Sequence, residues 1–267
     1  MQELNIESWE EFEDTLIELE HCRDRFIKDT NLGVSEYLFR GQTNSKWKLE
    51  TTLERFEKKK ISLIEYYKFA HAAKTKIESF TEKTWNIFTP PEFDNWVVDQ
   101  SHISFIDMPG YEYIAYLRHH GYPSPLLDWS ASPYIASFFA FRHQTTSKYV
   151  SIYVYQEYAG VGKVGSNDEP HIQNFGPYAN IHKRHFLQQS SYTICTTKDT
   201  SGFNIENHEK ADAKRMLNQD LMWKFNIPSS ERDKALKKLN KMNINAYSLF
   251  VTVDSLMEAV SVAENRF

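Results

Sequence analysis

Apolar positions along the chain recur with two periods, and the alternation between them predicts its elements. Trp9, Phe12, Leu16, Leu19 and Phe26 form one stripe at helical spacing, opened by the capping sequence Ser8-Trp9-Glu10-Glu11 and running to about Lys28. A second capping sequence, Ser62-Leu63-Ile64-Glu65, opens a long amphipathic helix through Tyr66, Phe69, Ala73, Ile77 and Phe80. Pro90-Pro91 interrupts the chain, and Phe93, Trp96 and Val97 predict a short helix over 92–99. Ile114 and Leu117, flanked by Tyr113 and Tyr116, mark a further helix that ends at His120, with Gly121 placed for a left-handed cap. Ser132 followed by Pro133 reads as an N-cap and first-turn proline, starting a helix through Ala136, Phe139 and Ala140.

Strand signals fall irregularly between these helices. Tyr37–Gln42 reads as a short buried strand, Trp47–Leu49 as a second, and Tyr149–Tyr155 as a central one rich in β-branched and aromatic residues. Ser191–Thr196 and Trp223–Pro228 add two more, the latter leading into a helix from Ser229 or Ser230 to about Lys241. The charged run 54–60 and residues 157–182, which hold four of the glycines, read as loops. With no repeating βαβ unit, the expected fold class is α+β: a single domain whose mixed or antiparallel sheet carries Arg40 and Ile152 and is flanked by helices containing Phe12, Phe69 and Phe139. Residues 1–34 are expected to form an N-terminal helix packed on the main domain, 35–267.

Composition narrows the function classes. A hydrophobic fraction of 41% over 267 residues supports a sizeable core, and aromatics at 15% imply one built from large rings. The net charge of -5 argues against a broad nucleic-acid-binding face. Cys22 and Cys195 are the only cysteines, so neither a disulfide framework nor a Cys-rich zinc site is expected. An acidic N-terminus without a following apolar run, and no stretch of about 18 apolar residues, lead to the expectation of a soluble cytoplasmic protein away from membranes.

Candidate chemistry concentrates between residues 111 and 142. Pro123 and Pro125 stiffen a polar loop carrying Asp128, Ser130 and Ser132, with His120 before it and Trp129 within it, where a ligand can be held. Taken singly, Ser132 reads as a cap and His120 as a solvated or structural histidine. Arg40, with Gly41 after it, ends the first strand. Its guanidinium either pairs with a buried carboxylate, Asp128 being the partner, or offers its fork to a phosphate or ribose. Arg184, Gln188 and Gln189 form a third polar patch before a strand. A metal site has only His119, His120 and Asp128 behind it, and neighbouring histidines on a helix diverge, so none is expected. Neither a Gly-x-Ser-x-Gly elbow nor a helix-leading glycine loop appears; Gly160–Gly165 runs into Ser-Asn-Asp-Glu-Pro instead.

Phe39-Arg40-Gly41 together with His119-His120-Gly121-Tyr122-Pro123-Ser124-Pro125-Leu126-Leu127-Asp128-Trp129-Ser130-Ala131-Ser132-Pro133 resembles the FRG domain family, named for its Phe-Arg-Gly motif. Where the family has Thr-Arg after the first proline, this chain has Ser124-Pro125. Arg184, Gln188 and Gln189 match a later family pattern, with Ser190 in place of a glycine, and residues 245–249 and 253–260 resemble its closing strand and last short helix. The likeness runs from about Ser35 to the C-terminus. The order of a strand-borne arginine, a serine before an alanine-rich helix and a later polar residue is more distantly similar to the Arg, Ser, Glu arrangement of ADP-ribosyltransferases. That resemblance implies NAD as substrate, Arg40 on the diphosphate side, Ser130 or Ser132 at the pocket and Gln188 at the third position. Gln188 lacks the charge that offsets an oxocarbenium ion, so either a different acid serves, Asp128 being the best placed, or the fold binds a nucleotide without transfer.

Two function classes follow. In the first, Asp128 and Gln188 are catalytic in an NAD-consuming transferase, and Arg40, Gly41, His120, Trp129, Ser130, Ser132 and Arg184 bind the ligand. In the second, the same constellation senses a nucleotide, another phosphorylated small molecule or a protein partner without turnover. Arg40, Asp128 and Ser132 are expected to converge on one concave site with Gln188 at its rim.

Overall fold

The computed structural model describes residues 1–57, 59–100, 108–160, 162–163, 168–176, 183–211 and 218–263. Its frame is an open nine-stranded mixed sheet carried by β1 (Gln2–Asn5), β2 (Gly33–Val34), β3 (Tyr37–Gln42), β4 (Leu127–Ser130), β5 (Tyr149–Gly160), β6 (His171–Asn174), β7 (Ser190–Asp199), β8 (Gly202–Ile205) and β9 (Gln219–Pro228). The order is β1-β9-β5-β3-β4-β7-β6, with β2 against β5 and β8 against β7. Every pairing is antiparallel except β1 with β9. The chain is an α+β protein, in agreement with the sequence reading.

Helix α1 (Trp9–Thr30) starts where the Ser8 hydroxyl accepts the Glu11 amide, buries Trp9, Phe12 and Leu16, and stops at Asn31 in the left-handed region. Those rings join Phe39, Phe141, Ile152 and Phe225 in a core shared with α6 (Pro133–Phe141) and α8 (Arg232–Lys241). A second core lies under α3 (Leu63–Thr81), α4 (Pro90–Asp99) and α5 (Tyr111–His119), where Tyr67 and Phe93 stack with centroids 3.6 Å apart and Tyr192 and Ile194 of β7 close the floor. A third gathers Leu38, Leu127, Trp129, Tyr155 and Met222. Because Leu38 and Phe39 alternate into different cores, β3 is covered on both sides, which explains its unbroken Tyr-Leu-Phe run.

Several local expectations are corrected. Residues 127–130 form β4 inside the sheet rather than a loop, since β3 and β7 offer it edges on both sides. Trp47–Leu49 forms no strand. Residues 246–250 form the short helix α9, capped by Asn245 and Ser248, where a closing strand was expected; a brief apolar run does not distinguish the two states by period. The following helix α10 (Val253–Ala263) is present. Part of the charged run forms helix α2 (Thr52–Phe56), with Thr51 and Glu54 exchanging capping bonds. Within 157–182, β5 extends to Gly160 and β6 follows, and half of the glycine-rich stretch 160–165 lies outside the described residues. On α3, Phe69 and Phe80 face outward while Leu63, Tyr66, Tyr67 and Ala70 are buried, so its apolar stripe is rotated from the one expected.

Candidate functional site

Strands β3 and β4 pair at a single register position, Phe39 with Ser130, whereas β3 pairs with β5 at six successive positions. Beyond that contact β3 and β4 no longer share a ladder, and the backbone groups on their facing edges need other partners. Arg40 supplies one. Its Nη1 donates to the Asp128 carbonyl oxygen at 2.7 Å and also pairs with the Asp128 Oδ1. A side chain thus stands in for a missing rung on the β4 side, while β3 runs on through Gln42 against β5.

The three residues of the Phe-Arg-Gly motif have separate jobs. Phe39 is buried in the core with α6. Gly41 lies so close to α6 that an added Cβ would fall 2.0 Å from the Ala136 carbonyl oxygen and 2.6 Å from the Ala140 nitrogen. Arg40 crosses to Asp128 between them. Asp128 receives a second guanidinium from α5, where Arg118 Nη2 lies 2.7 Å from the same Oδ1. Sequence reasoning passed over Arg118; its signal was its place in the last turn of α5, beside the histidine pair.

Burial pushes the Asp128 carboxyl up, but Arg118 and Arg40 outweigh it and hold the group far below the ordinary carboxylate range. It is an anion at every working pH. Its side chain is nevertheless 45% exposed, and the side-chain hydrogen bonds it accepts among the described residues run to Oδ1, leaving Oδ2 without one. Meanwhile the Nε atoms of Arg40 and Arg118 are buried without a hydrogen-bond partner among the described residues. Beside this cluster opens a cavity of about 170 Å³ lined by Arg40, Gly41, Asp128, Trp129, Ser130, Phe139, Gln188 and Ser190, among others.

The remaining candidates divide into those at the cavity and those away from it. Ser130 donates to the Gln188 carbonyl and accepts the Ser132 amide, closing the turn into α6. Gln188 lines the cavity, yet its side-chain amide donates to the Leu249 carbonyl on α9. Trp129 is buried and donates from Nε1 to Thr193 Oγ1 at 2.8 Å, so it borders the cavity while its ring serves the core. Ser132 is not among the lining residues; its hydroxyl accepts the Ile135 amide as the α6 cap. Replacing Ser132 with alanine is therefore expected to lower stability by about 1 kcal/mol, the usual value of a lost cap, in chaotrope unfolding, with ligand affinity unaltered.

Arg184 and His120 also sit elsewhere. Arg184 belongs to α7 (Lys183–Leu187) and donates to the Phe250 carbonyl, with its guanidinium over the Phe250 ring. His120 is the exposed cap of α5 and packs on Tyr116. The neighbouring His119 turns inward instead, since adjacent helical positions diverge, and meets the Tyr192 hydroxyl. Burial lowers His119 to about 4 against the opposing pull of Asp128, and raises the Tyr192 phenol well above its usual range. On the other side of β7, His208 is fully buried, shares Thr193 Oγ1 with Trp129, and is driven down to about 3 by burial. Both imidazoles are neutral at physiological pH, so neither adds charge near the Arg40–Asp128 pair.

The fold and its site thus define an α+β protein with an arginine-clamped carboxylate at a break in its sheet. Residues 35–149 match the model of the FRG domain, and the chain is an FRG domain-containing protein. That match includes Arg40, Arg118, Asp128 and Ser132 and stops short of Arg184 and Gln188, whose likeness to the family it does not carry. Neither the curated proteins nor the solved structures contain a significant match to the chain. Among the described residues, no helix is long and apolar enough to cross a membrane.

Proposed function

We propose that the Arg40–Asp128–Arg118 cleft binds a nucleotide, with NAD the specific candidate. The observation that carries this reading is a pair of guanidiniums, both held on Asp128, whose Nε donors are buried without a partner among the described residues, with Arg40 and Asp128 themselves lining the cavity. A buried charged donor without an acceptor is costly, and an incoming phosphate oxygen relieves it. The free Oδ2 of Asp128 suits a ribose hydroxyl, which donates to a carboxylate. At about 170 Å³ the cavity is below the usual ligand-pocket range of roughly 300–1,000 Å³, so it fits a phosphate and part of a ribose, with the rest of a dinucleotide on the open surface.

Group transfer from NAD is the second reading, and the ionised, half-exposed Asp128 favours it. In that reaction the bond from the ribose C1′ to nicotinamide breaks, nicotinamide leaves with the electron pair, and a nucleophile takes its place at C1′. Two arginines on the same carboxylate offset the charge that would steady an oxocarbenium ion, and the Gln188 amide is engaged at Leu249. Binding is therefore the better-supported role.

Titration calorimetry with NAD tests it. Wild-type protein is expected to bind, and Arg40→Lys to weaken binding by about 1.5–3 kcal/mol, because an ammonium cannot hold Asp128 and a phosphate in the same fork geometry. Undiminished affinity in Arg40→Lys, or no NAD binding by the wild type, defeats the proposal. A parallel assay of nicotinamide release separates transfer from binding alone.

A further inference from the structure

A second cavity, of about 550 Å³, shares no lining residue with the Arg40–Asp128 cleft. Its volume falls within the usual ligand-pocket range of roughly 300–1,000 Å³. The chain around α2 and the turn that follows β8 enclose it, so the charged run 54–60 becomes part of its wall. Leu53, Ile61 and Ile205 give it an apolar floor. The charges above that floor fall into two unlike groups. Glu206 has a side chain only 6% exposed and commits both oxygens: Oε1 pairs with Lys60 and accepts the Thr197 hydroxyl, and Oε2 lies 2.7 Å from the Lys210 Nζ. Two ammoniums on one buried carboxylate leave a positive surplus, and both lysines are more than half exposed.

The other group is negative. Glu54 accepts the Asn207 side-chain amide at 2.9 Å and the Thr51 backbone amide at 2.7 Å, and Glu209 accepts the Leu49 amide at 3.0 Å, all of them neutral donors. With Glu50 and Glu57 they make four lining carboxylates that have no ion pair among the described residues, against two unpaired lysines, Lys48 and Lys59. The two groups meet at one turn, where Glu206 holds the lysines and its neighbour Asn207 holds Glu54. A lone cation answers only the acidic group, and a lone anion only the lysines. One molecule carrying both charges answers both, and an alkyl group between them covers the apolar floor. We propose that this cavity binds a small zwitterion, an apolar amino acid or short peptide with a free ammonium and a free carboxylate. The ammonium goes to Glu54 and Glu209, the carboxylate to Lys60 and Lys210. Because the cleft contributes nothing to this site, it stands or falls separately from the nucleotide reading.

Calorimetric titrations with free leucine, the dipeptide alanyl-leucine, its N-acetyl derivative and its C-terminal amide test the site in wild type, Glu209→Gln and Lys210→Gln. Glutamine at 209 keeps an oxygen for the Leu49 amide, and loss of Lys210 leaves Lys60 on Glu206, so both variants are expected to keep the wild-type unfolding midpoint. Affinity for alanyl-leucine should fall about tenfold in either variant. The N-acetyl peptide should bind wild type about tenfold more weakly and be indifferent to Glu209→Gln, and the amide should show the same loss and be indifferent to Lys210→Gln. Whichever of leucine and alanyl-leucine binds more tightly upholds the site and fixes the length of its ligand. Wild-type protein that takes neither, blocked peptides that bind as tightly as the free one, or undiminished affinity in both variants would overturn the proposal.

Discussion

Gly41→Ala is expected to destabilise the protein by about 3 kcal/mol or more, the upper range for overpacking, which in a chain of this size lowers Tm by on the order of 10 °C. The new methyl would enter the α6 backbone, 2.0 Å from the Ala136 carbonyl oxygen, and no rotamer change relieves a clash with main chain. Either α6 lifts from β3 or the strand shifts, and both disturb the core around Phe39, Ala136 and Phe141. Gly41 has no left-handed backbone to explain it, so close approach is its whole requirement. The check is thermal unfolding followed by circular dichroism; a midpoint within about 2 °C of wild type would refute the packing account. Because Gly41 and Arg40 are neighbours, loss of α6 contact would also loosen the cleft, so ligand affinity should fall with stability.

The second large effect belongs to Asp128→Asn. Breaking a buried ion pair by removing one partner costs about 3–5 kcal/mol, and with the carboxylate 45% exposed a value of about 2 kcal/mol is appropriate. Two guanidiniums would be left facing a neutral amide. The pH dependence follows from the depressed folded-state pKa: stability from ionised Asp128 is fully present above the ordinary carboxylate value near 3.9 and is lost as pH falls toward the folded value. Wild type should therefore lose stability below about pH 4, and the difference between it and Asp128→Asn should shrink over that window. If the difference is constant from pH 7 to pH 3, the ion-pair explanation is wrong. The same variant separates the function classes. A transferase would lose turnover by about 100-fold with affinity largely kept, whereas a binding module would lose affinity as Arg40 and Arg118 come adrift.

The sequence alone determined the local chemistry of this protein. Capping serines, the Gly121 turn, the Ser132-Pro133 helix start and the strand over 149–155 depend on residues within a few positions of one another, so short-range rules reach them. Pairing Arg40 with Asp128 was legible too, as one of two open choices, because a strand-end guanidinium needs a carboxylate or a phosphate and the chain has an aspartate in its second dense motif. Tertiary structure decided what local rules do not see. β4 became a strand because β3 and β7 offer edges on both sides of it, and four residues are too few to announce a period. Arg118 joined the site because α5 packs over Tyr192, and His119 rather than His120 turned inward because of that same packing. Ser132 left the candidate site once its hydroxyl was committed to the α6 cap, and Gln188 kept its place while giving its amide to α9. The single-position contact between β3 and β4, which leaves room for the cleft, is a property of sheet register alone: it arises from how distant segments align, and no stretch of sequence contains it.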